Sequence, residues 1–207
     1  MDKIIIVGYG GHGKSVADSI RTISQFEIVG YTDAMDKHEK NIVYLGTDEA
    51  LPQLYQSGIQ NAALGVGYMG RSMLRYKLYK KLRGIGYSLP IIIDPSAIVS
   101  LGTEIYEGTF VGKRAVINAG ASIGRMCIIN TGSIIEHGNM IGDFTHIAVG
   151  AVLCGDVVIG RHCLIGANAT VLQGLQIGDN AIIGAGSLVL RNVESNAVQF
   201  GKRSNNE

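Results

Sequence analysis

From Ile93 to Val189 an aliphatic residue returns at every sixth position without an insertion. The series runs Ile93, Val99, Ile105, Val111, Ile117, Ile123, Ile129, Ile135, Ile141 and Ile147, then Leu153, Ile159, Ile165, Val171, Ile177, Ile183 and Val189. Four residues after most of these stands a small side chain, among them Ala97, Thr109, Ala121, Cys127, Ser133, Thr145, Cys163, Ala169 and Ser187. A six-residue period matches neither the 3.6-residue turn of an α-helix nor the alternation of hairpin strands. It matches a parallel β-helix of hexapeptide repeats. There the aliphatic side chain fills the core, the small one fits beside a corner, and three hexapeptides close one triangular coil. Val99 to Leu188 then holds about five coils.

The residues before the repeat follow other periods. KIIIVGYG is a buried strand ending in glycines, HGKSVADSIRTIS has helical spacing, and FEIVGYTD is a second strand. DEALPQLYQSG is a helix, NAALGVG a third strand, GRSMLRYKLYKKLRGIG a basic amphipathic helix with a solvated face, and SLPIII a closing strand. Strand–helix alternation of this length describes a small parallel α/β unit, half of a dinucleotide-binding fold. The chain thus divides into an N-terminal Rossmann-like unit, residues 1–92, and a β-helix, residues 93–207. Its α/β-then-β-helix class needs no metal and no disulfide, since Cys127, Cys154 and Cys163 are odd in number and lack a CxxC spacing.

Composition removes several classes of function. Hydrophobic residues make up 46% and charged residues 17% of the chain, with a formal net charge of +1. That balance gives no electrostatic footprint for nucleic acid or for an anionic membrane surface. The first residues run straight into a strand, no apolar run nears a membrane span, and a cytoplasmic location is expected.

Two phosphate-binding patterns overlap at one loop. Gly8-Tyr9-Gly10-Gly11-His12-Gly13 satisfies G-x-G-x-x-G, and with Lys14-Ser15 it also satisfies the P-loop pattern. In both, glycines let backbone N–H groups approach a phosphate at the positive end of a helix. The P-loop reading lacks room for the remaining strands of a nucleoside triphosphatase. The dinucleotide reading gains from Asp33, twenty residues after Gly13 at a strand end, where an acidic side chain accepts hydrogen bonds from a ribose or base. Because the second half-fold is missing, a nucleoside diphosphate fits better. A second glycine turn, Gly65-Val66-Gly67, ends the third strand on the side where ligands of open α/β sheets collect. The alternative is that these glycines only make tight turns. His12, inside the loop, is poorly placed for core packing and reads as a ligand contact.

Among the other histidines, His38 and His162 read as surface residues. His137 stands at an outward place of its hexapeptide, with Ile135 and Asn139 inward and Gly155 one coil up leaving space for a ligand. His146 falls half a coil away, on a different edge of the same prism. An imidazole titrates near neutrality and suits a general base; an exposed histidine on a β-helix can equally be an ordinary surface residue.

The G-x-G-G-H-G-K opening, joined to coils carrying SIIEHGNMIGDFTHIAVGAVLCGDV, resembles the sialic-acid O-acetyltransferases and nucleotide-linked 4-amino-sugar N-acetyltransferases over essentially the whole chain. The resemblance implies a left-handed β-helix, a homotrimer, and acetyl-CoA as co-substrate in the groove between adjacent β-helices. It implies that His137 is the catalytic base, and that His146 lies at the thioester end of acetyl-CoA. Gly155, Ala167 and Ala185 would give backbone contacts to coenzyme A. Asn130 and Thr131 would stand near the acceptor sugar, and Gly10, Gly11, His12, Asp33 and Gly67 would hold the nucleotide sugar. The function implied is acetylation of the amine of a UDP-linked 4-amino-sugar. O-acetylation of a sialic acid and a non-catalytic nucleotide-sugar-binding trimer are the alternatives. The chain departs from the pattern twice: Gly138 follows the histidine where many amino-sugar members carry Glu or Asp, and the end reads AVQFGKRSNNE instead of V-x-G-x-P-A-[KR].

Overall fold

The computed structural model describes residues 1–201; Lys202 onward, part of the divergent end noted above, lies outside the described residues. The described residues form two compact units, 1–68 with 72–95 and 69–71 with 96–201.

In the first unit the apolar run Ile4–Val7 lies at the centre of a parallel sheet and is fully buried. Strands β1 (Asp2–Val7), β2 (Phe26–Thr32) and β3 (Asn61–Leu64) pair in the order β2-β1-β3. Helix α1 (Gly11–Thr22) buries Val16, Ala17 and Ile20, spaced for one helical face. Tyr9 and Tyr31 stack with ring centroids 4.5 Å apart, in a cluster with Ile6 and Ala17. The expected second helix is a 3₁₀ turn, Asp48–Ala50, leading into the short α2 (Leu51–Gln56). The basic helix α3 (Leu74–Ile85) starts four residues later than the sequence pattern suggests. Gly70 and Arg71 hold φ of 87° and 55°, left-handed values that no right-handed helix can include. The face of α3 is not wholly solvated either. Arg75 is buried, and its guanidinium donates to the Val66 carbonyl.

In the second unit each hexapeptide folds as a two-residue strand followed by a four-residue corner. One wall, which we call the first, is a sheet of seven strands that includes Phe110–Val111, Ile128–Ile129, His146–Ile147, Leu164–Ile165, Ile182–Ile183 and Val198–Gln199; Ile92–Ile93, expected to close the α/β unit, is a strand of this sheet instead. The second wall stacks six strands, Ile98–Val99 through Ile134–Ile135 and Val152–Leu153 to Leu188–Val189, and the third stacks five, from Glu104–Ile105 to Gln176–Ile177. About five coil intervals therefore separate the six rungs of the second wall. Partners along a wall are eighteen residues apart, as in Ile128 with His146 and His146 with Leu164. The last coil tightens to sixteen, pairing Ile177 with Val193 and Ile182 with Val198.

The periodic aliphatics from Val111 to Val189 are all buried. Each such side chain contributes roughly 1.5–3 kcal/mol of apolar transfer on burial. The small inward residues do a second task. Thr109 and Thr145 donate to the carbonyls of Gly124 and Gly160 at 2.7 and 2.8 Å, and accept from the N–H of Cys127 and Cys163 at 3.0 Å in each case. Cys127 and Cys163, expected to pack as plain apolar atoms, also lie 3.3 and 3.1 Å from the Gly142 and Gly178 carbonyls. Burial pushes the Cys163 thiol up to about 11, so it is an inert structural thiol. No helix among the described residues is long and apolar enough to cross a membrane.

One corner stacks residues with left-handed φ, including Met126, Phe144, His162 and Asn180. His162, read from sequence as a surface residue, is half-buried there and stacks on Phe144 at 5.0 Å with the planes 8° apart. Burial, against the pull of Asp179 and Asp143, lowers its pKa from 6.5. An unfolded chain then takes up a proton before the folded one does, so this group's contribution is present above about pH 6.5 and is lost as the pH falls. Replacing His162 by Asn, which tolerates the same backbone, should flatten the decline of Tm between pH 7.5 and 5.5; an unchanged slope in thermal melts would show that His162 does not set it.

Candidate functional site

In the first unit the two glycine turns meet at the carboxyl end of the sheet. Gly8, Gly13 and Gly65 interlock: a Cβ on Gly13 or Gly65 would stand 2.4 or 2.0 Å from the Gly8 carbonyl oxygen. These three glycines are required by packing, as the tight-turn reading proposes. Gly10 and Gly11 are different. Both are exposed, and a Cβ on either would meet no atom within 4 Å. Nothing in the protein demands glycine there, whereas the close approach of a ligand to the backbone would. They stand at the start of the twelve-residue α1, where N–H groups and the helix dipole favour an anion. His12 is half-buried beside them, and exposed Gly67 is packed near its Cβ.

Asp33 lies at the same sheet end but is engaged within the chain. Its Oδ2 accepts from the Tyr9 N–H at 2.8 Å, and its Oδ1 accepts from Ala34 at 2.8 Å and pairs with Lys37 at 3.1 Å. Partial burial pulls its carboxyl upward, but these donors outweigh it and hold the group below the usual carboxylate value. Asp33 thus fixes the glycine loop as well as standing beside it. Lys14 pairs with Glu39, whose hydrogen bond and charge raise its pKa. The would-be P-loop lysine is committed elsewhere. Arg75, which sequence reasoning placed on a solvated face, secures the second glycine turn through Val66; the i, i+3, i+4 pattern of α3 gave no sign of it.

In the second unit His137 occupies the corner between the second and third walls. Its carbonyl accepts from Asp156 N–H at 2.9 Å, and Gly138 N–H donates to the Ala119 carbonyl at 3.1 Å. Asn139, inward as expected and fully buried, donates to the carbonyls of Glu136 and Cys154 at 2.6 and 3.0 Å. The corner carrying the imidazole is therefore tied to the coils on either side. Gly155 does not leave open space above the histidine. A Cβ there would stand 2.5 Å from His137 Cε1 and 2.7 Å from Nε2; the imidazole itself fills the room.

His146 lies on the first wall, 7% exposed. Its Nε2 is 3.1 Å from Asn130 Nδ2. Asn130 Oδ1 accepts from the Thr131 N–H at 2.8 Å, which orients the amide so that its NH₂ group faces the ring. Nε2 must then be the acceptor, and the proton of neutral His146 sits on Nδ1. Thr131 belongs to a stack at the corner between the first and second walls, with Lys113 one coil below it and Val149, Ala167 and Ala185 on successive coils above. The predicted residues thus fall into two groups. His137 and Gly155 share one edge of the second wall; Asn130, Thr131, Ala167 and Ala185 share its other edge, with His146 on the wall beyond. In a triangular coil the first wall is opposite the His137 corner, so one chain does not bring the groups together.

The family model described as PglD N-terminal domain matches residues 3–82, and that described as hexapeptide repeat of succinyl-transferase matches residues 102–136 and 156–191. No curated protein matches the sequence. Among solved structures, a mutant of perosamine N-acetyltransferase from Caulobacter crescentus, in complex with CoA and GDP-perosamine, is 33% identical with a TM-score of 0.91, over 97% of this chain and 94% of that one. The acetyltransferase domain of PglB from Neisseria gonorrhoeae, in complex with acetyl coenzyme A, is 28% identical with a TM-score of 0.89, over 96% of each chain. WeeI from Acinetobacter baumannii shares the fold at 23% identity and a TM-score of 0.82, over 97% of each chain.

The backbone of Gly155 is not left-handed, so alanine fits its conformation, and the three atoms nearest its methyl would all belong to the imidazole. Gly155→Ala should keep the wild-type melting temperature within a few degrees while displacing His137. Misplacing a reacting group by about 1 Å can cost on the order of 100-fold in rate. Full turnover in this variant would show that the observed seat of the ring does not matter.

Proposed function

The chain belongs to the hexapeptide-repeat sugar acetyltransferases, and we propose that it moves the acetyl group of acetyl-CoA onto the amine of a nucleotide-linked 4-amino-sugar. The observation that carries this reading is the seat of His137: an accessible imidazole, locked on a rigid corner, beside a glycine that its ring requires. The solved relatives with CoA and GDP-perosamine, or with acetyl coenzyme A, support the two substrates. The open glycines Gly10 and Gly11, with His12, Asp33 and Gly67, would hold the nucleoside diphosphate at the N-terminus of α1.

His137 would take the proton from the acceptor amine as its nitrogen bonds to the thioester carbonyl carbon. His146, held by Asn130, would stand at the thioester end of acetyl-CoA, and the hydrogen-bond donors there would stabilise the developing oxyanion. As the carbon–sulfur bond breaks, the imidazolium would return its proton to the coenzyme A thiolate. Atoms and charge balance with no covalent enzyme intermediate.

Because the two groups lie on opposite edges of the second wall, the complete site would form at a seam between copies. The outward row of that wall, Ile98, Val116, Ile134, Val152, Thr170 and Leu188, is apolar at five of six places and partly or fully exposed in one chain. Apolar surface of that kind marks an association face. A closed ring of copies packed on it would bring the His137 edge of one prism to the Ala167 and Ala185 edge of the next, and a homotrimer is the expected ring.

Steady-state assays offering UDP- and GDP-linked 4-amino-sugars and free sialic acid should show acetyl-CoA turnover on an amino-sugar. In His137→Ala, kcat should fall about 10²–10⁴-fold with acetyl-CoA binding retained by calorimetry. Turnover of sialic acid alone would make the enzyme an O-acetyltransferase. Turnover of none, with nucleotide sugar still bound, would make it a binding trimer, and an unimpaired His137→Ala enzyme would remove the base.

A further inference from the structure

We infer that Asp156, reaching down from the next coil, is the acidic partner that positions His137. Its Oδ1 stands 3.9 Å from His137 Nδ1. The backbone link between the same residues, Asp156 N–H to the His137 carbonyl, fixes the spacing of the two corners. This assignment rests on His137 being the base.

The local geometry makes room for this carboxylate by leaving position 138 without a side chain. A Cβ on Gly138 would stand 2.1 Å from Asp156 Oδ1. A side chain at 138 and the observed place of Asp156 are therefore mutually exclusive. Gly155 seats the ring from the coil above, and Asp156, the next residue, brings its carboxylate to the opposite nitrogen. The pair Gly155-Asp156 thus forms a cradle with a steric half and an electrostatic half. Asp156 holds φ of 59°, a left-handed corner that turns its side chain back along the stack and that Asp and Asn tolerate.

A carboxylate at Nδ1 has two consequences for a base that works through Nε2. Once the contact closes to a hydrogen bond, it would keep the neutral ring's proton on Nδ1, leaving the Nε2 lone pair for the acceptor amine. It also stabilises the imidazolium that forms when that proton arrives. At 3.9 Å the contact is an ion-pair distance, longer than a hydrogen bond, so a small rotation or a bridging water would complete it. Both side chains are more than half exposed in one copy, at 59% and 60%. Solvent weakens the pair there, and closure of a seam over the corner would strengthen it.

The other groups stacked at this corner offer little competition. Ala119 and Gly120 lie below and carry no charge, Cys154 lies above, and Glu136 is the one other carboxylate on these corners. Glu136 is the rival that the experiment must separate.

The test is the pH dependence of kcat and kcat/KM for Asp156→Asn, Asp156→Glu, Glu136→Gln and His137→Ala in the otherwise intact enzyme. Asn occupies the equivalent left-handed corner places at 168 and 180, so Asp156→Asn should fold, and its Tm checks that. We expect kcat to fall about tenfold, roughly the effect of one partly screened charge pair, with KM for acetyl-CoA little changed. The acid limb of kcat/KM should move to lower pH as the imidazolium loses its partner, and Asp156→Glu should recover part of the rate. Glu136→Gln should leave the profile alone. An Asp156→Asn enzyme with wild-type kcat and profile, or a profile moved by Glu136→Gln instead, overturns the assignment while leaving His137 as the base. If His137→Ala is also fully active, both readings fall.

Discussion

Everything in the second unit depends on the inward pair of each hexapeptide, one aliphatic and one small residue, returning six places later. The aliphatics fill the triangular core, and the small polar ones bind corner carbonyls that would otherwise be buried without a donor. Satisfying the corners from inside leaves outward places such as His137 free of packing duty, although at the Met126, Phe144 and His162 corner the outward side chains pack on one another. Function can be placed there at little cost to the fold. The eighteen-residue coil then decides which outward residues meet, because each stands over the residue one coil before it.

That rule explains the environment of His137 better than its sequence neighbours do. The ring is shaped by Gly155 and faced by Asp156, both a coil away, and the corner that carries it is tied to the next coil by the bond from Asn139 to the Cys154 carbonyl. The same rule separates His137 from His146. Neither residue is displaced from where the repeat puts it; the triangle places them on opposite sides. On the proposed reading, a chain built this way presents half of a site on each of two edges, and association would join them.

Much of this was legible in the sequence. The unbroken series from Ile93 to Val189 located each strand from Ile98–Val99 to Leu188–Val189 to within a residue, since any slip would turn the aliphatics outward; the last strand, Val198–Gln199, follows the shortened coil and lies outside the series. The glycine loop was equally plain, but its sorting into packing glycines and open ones was not. Gly13 and Gly10 look alike in sequence, and only the approach of the Gly8 carbonyl tells them apart. His162 was misread as a surface residue because its partner, Phe144, stacks from the coil below. Arg75 was taken for one more solvated cation of α3, but the carbonyl it binds lies off the helix, in the glycine turn nine residues earlier. Asp156 could have been found: it is the residue one coil above Gly138, where a missing side chain asks what stands in its place.

The central claim is that the working site is assembled from two copies, a His137 corner facing an edge that carries Asn130 and His146. Co-assembling a His137→Ala chain with a His146→Ala chain, each inactive alone, tests it directly. A shared site predicts that the mixed oligomers regain acetyltransferase activity, because some seams then combine an intact corner with an intact edge. Mixed oligomers as inactive as their parents would contradict it and place the whole of the chemistry within a single chain.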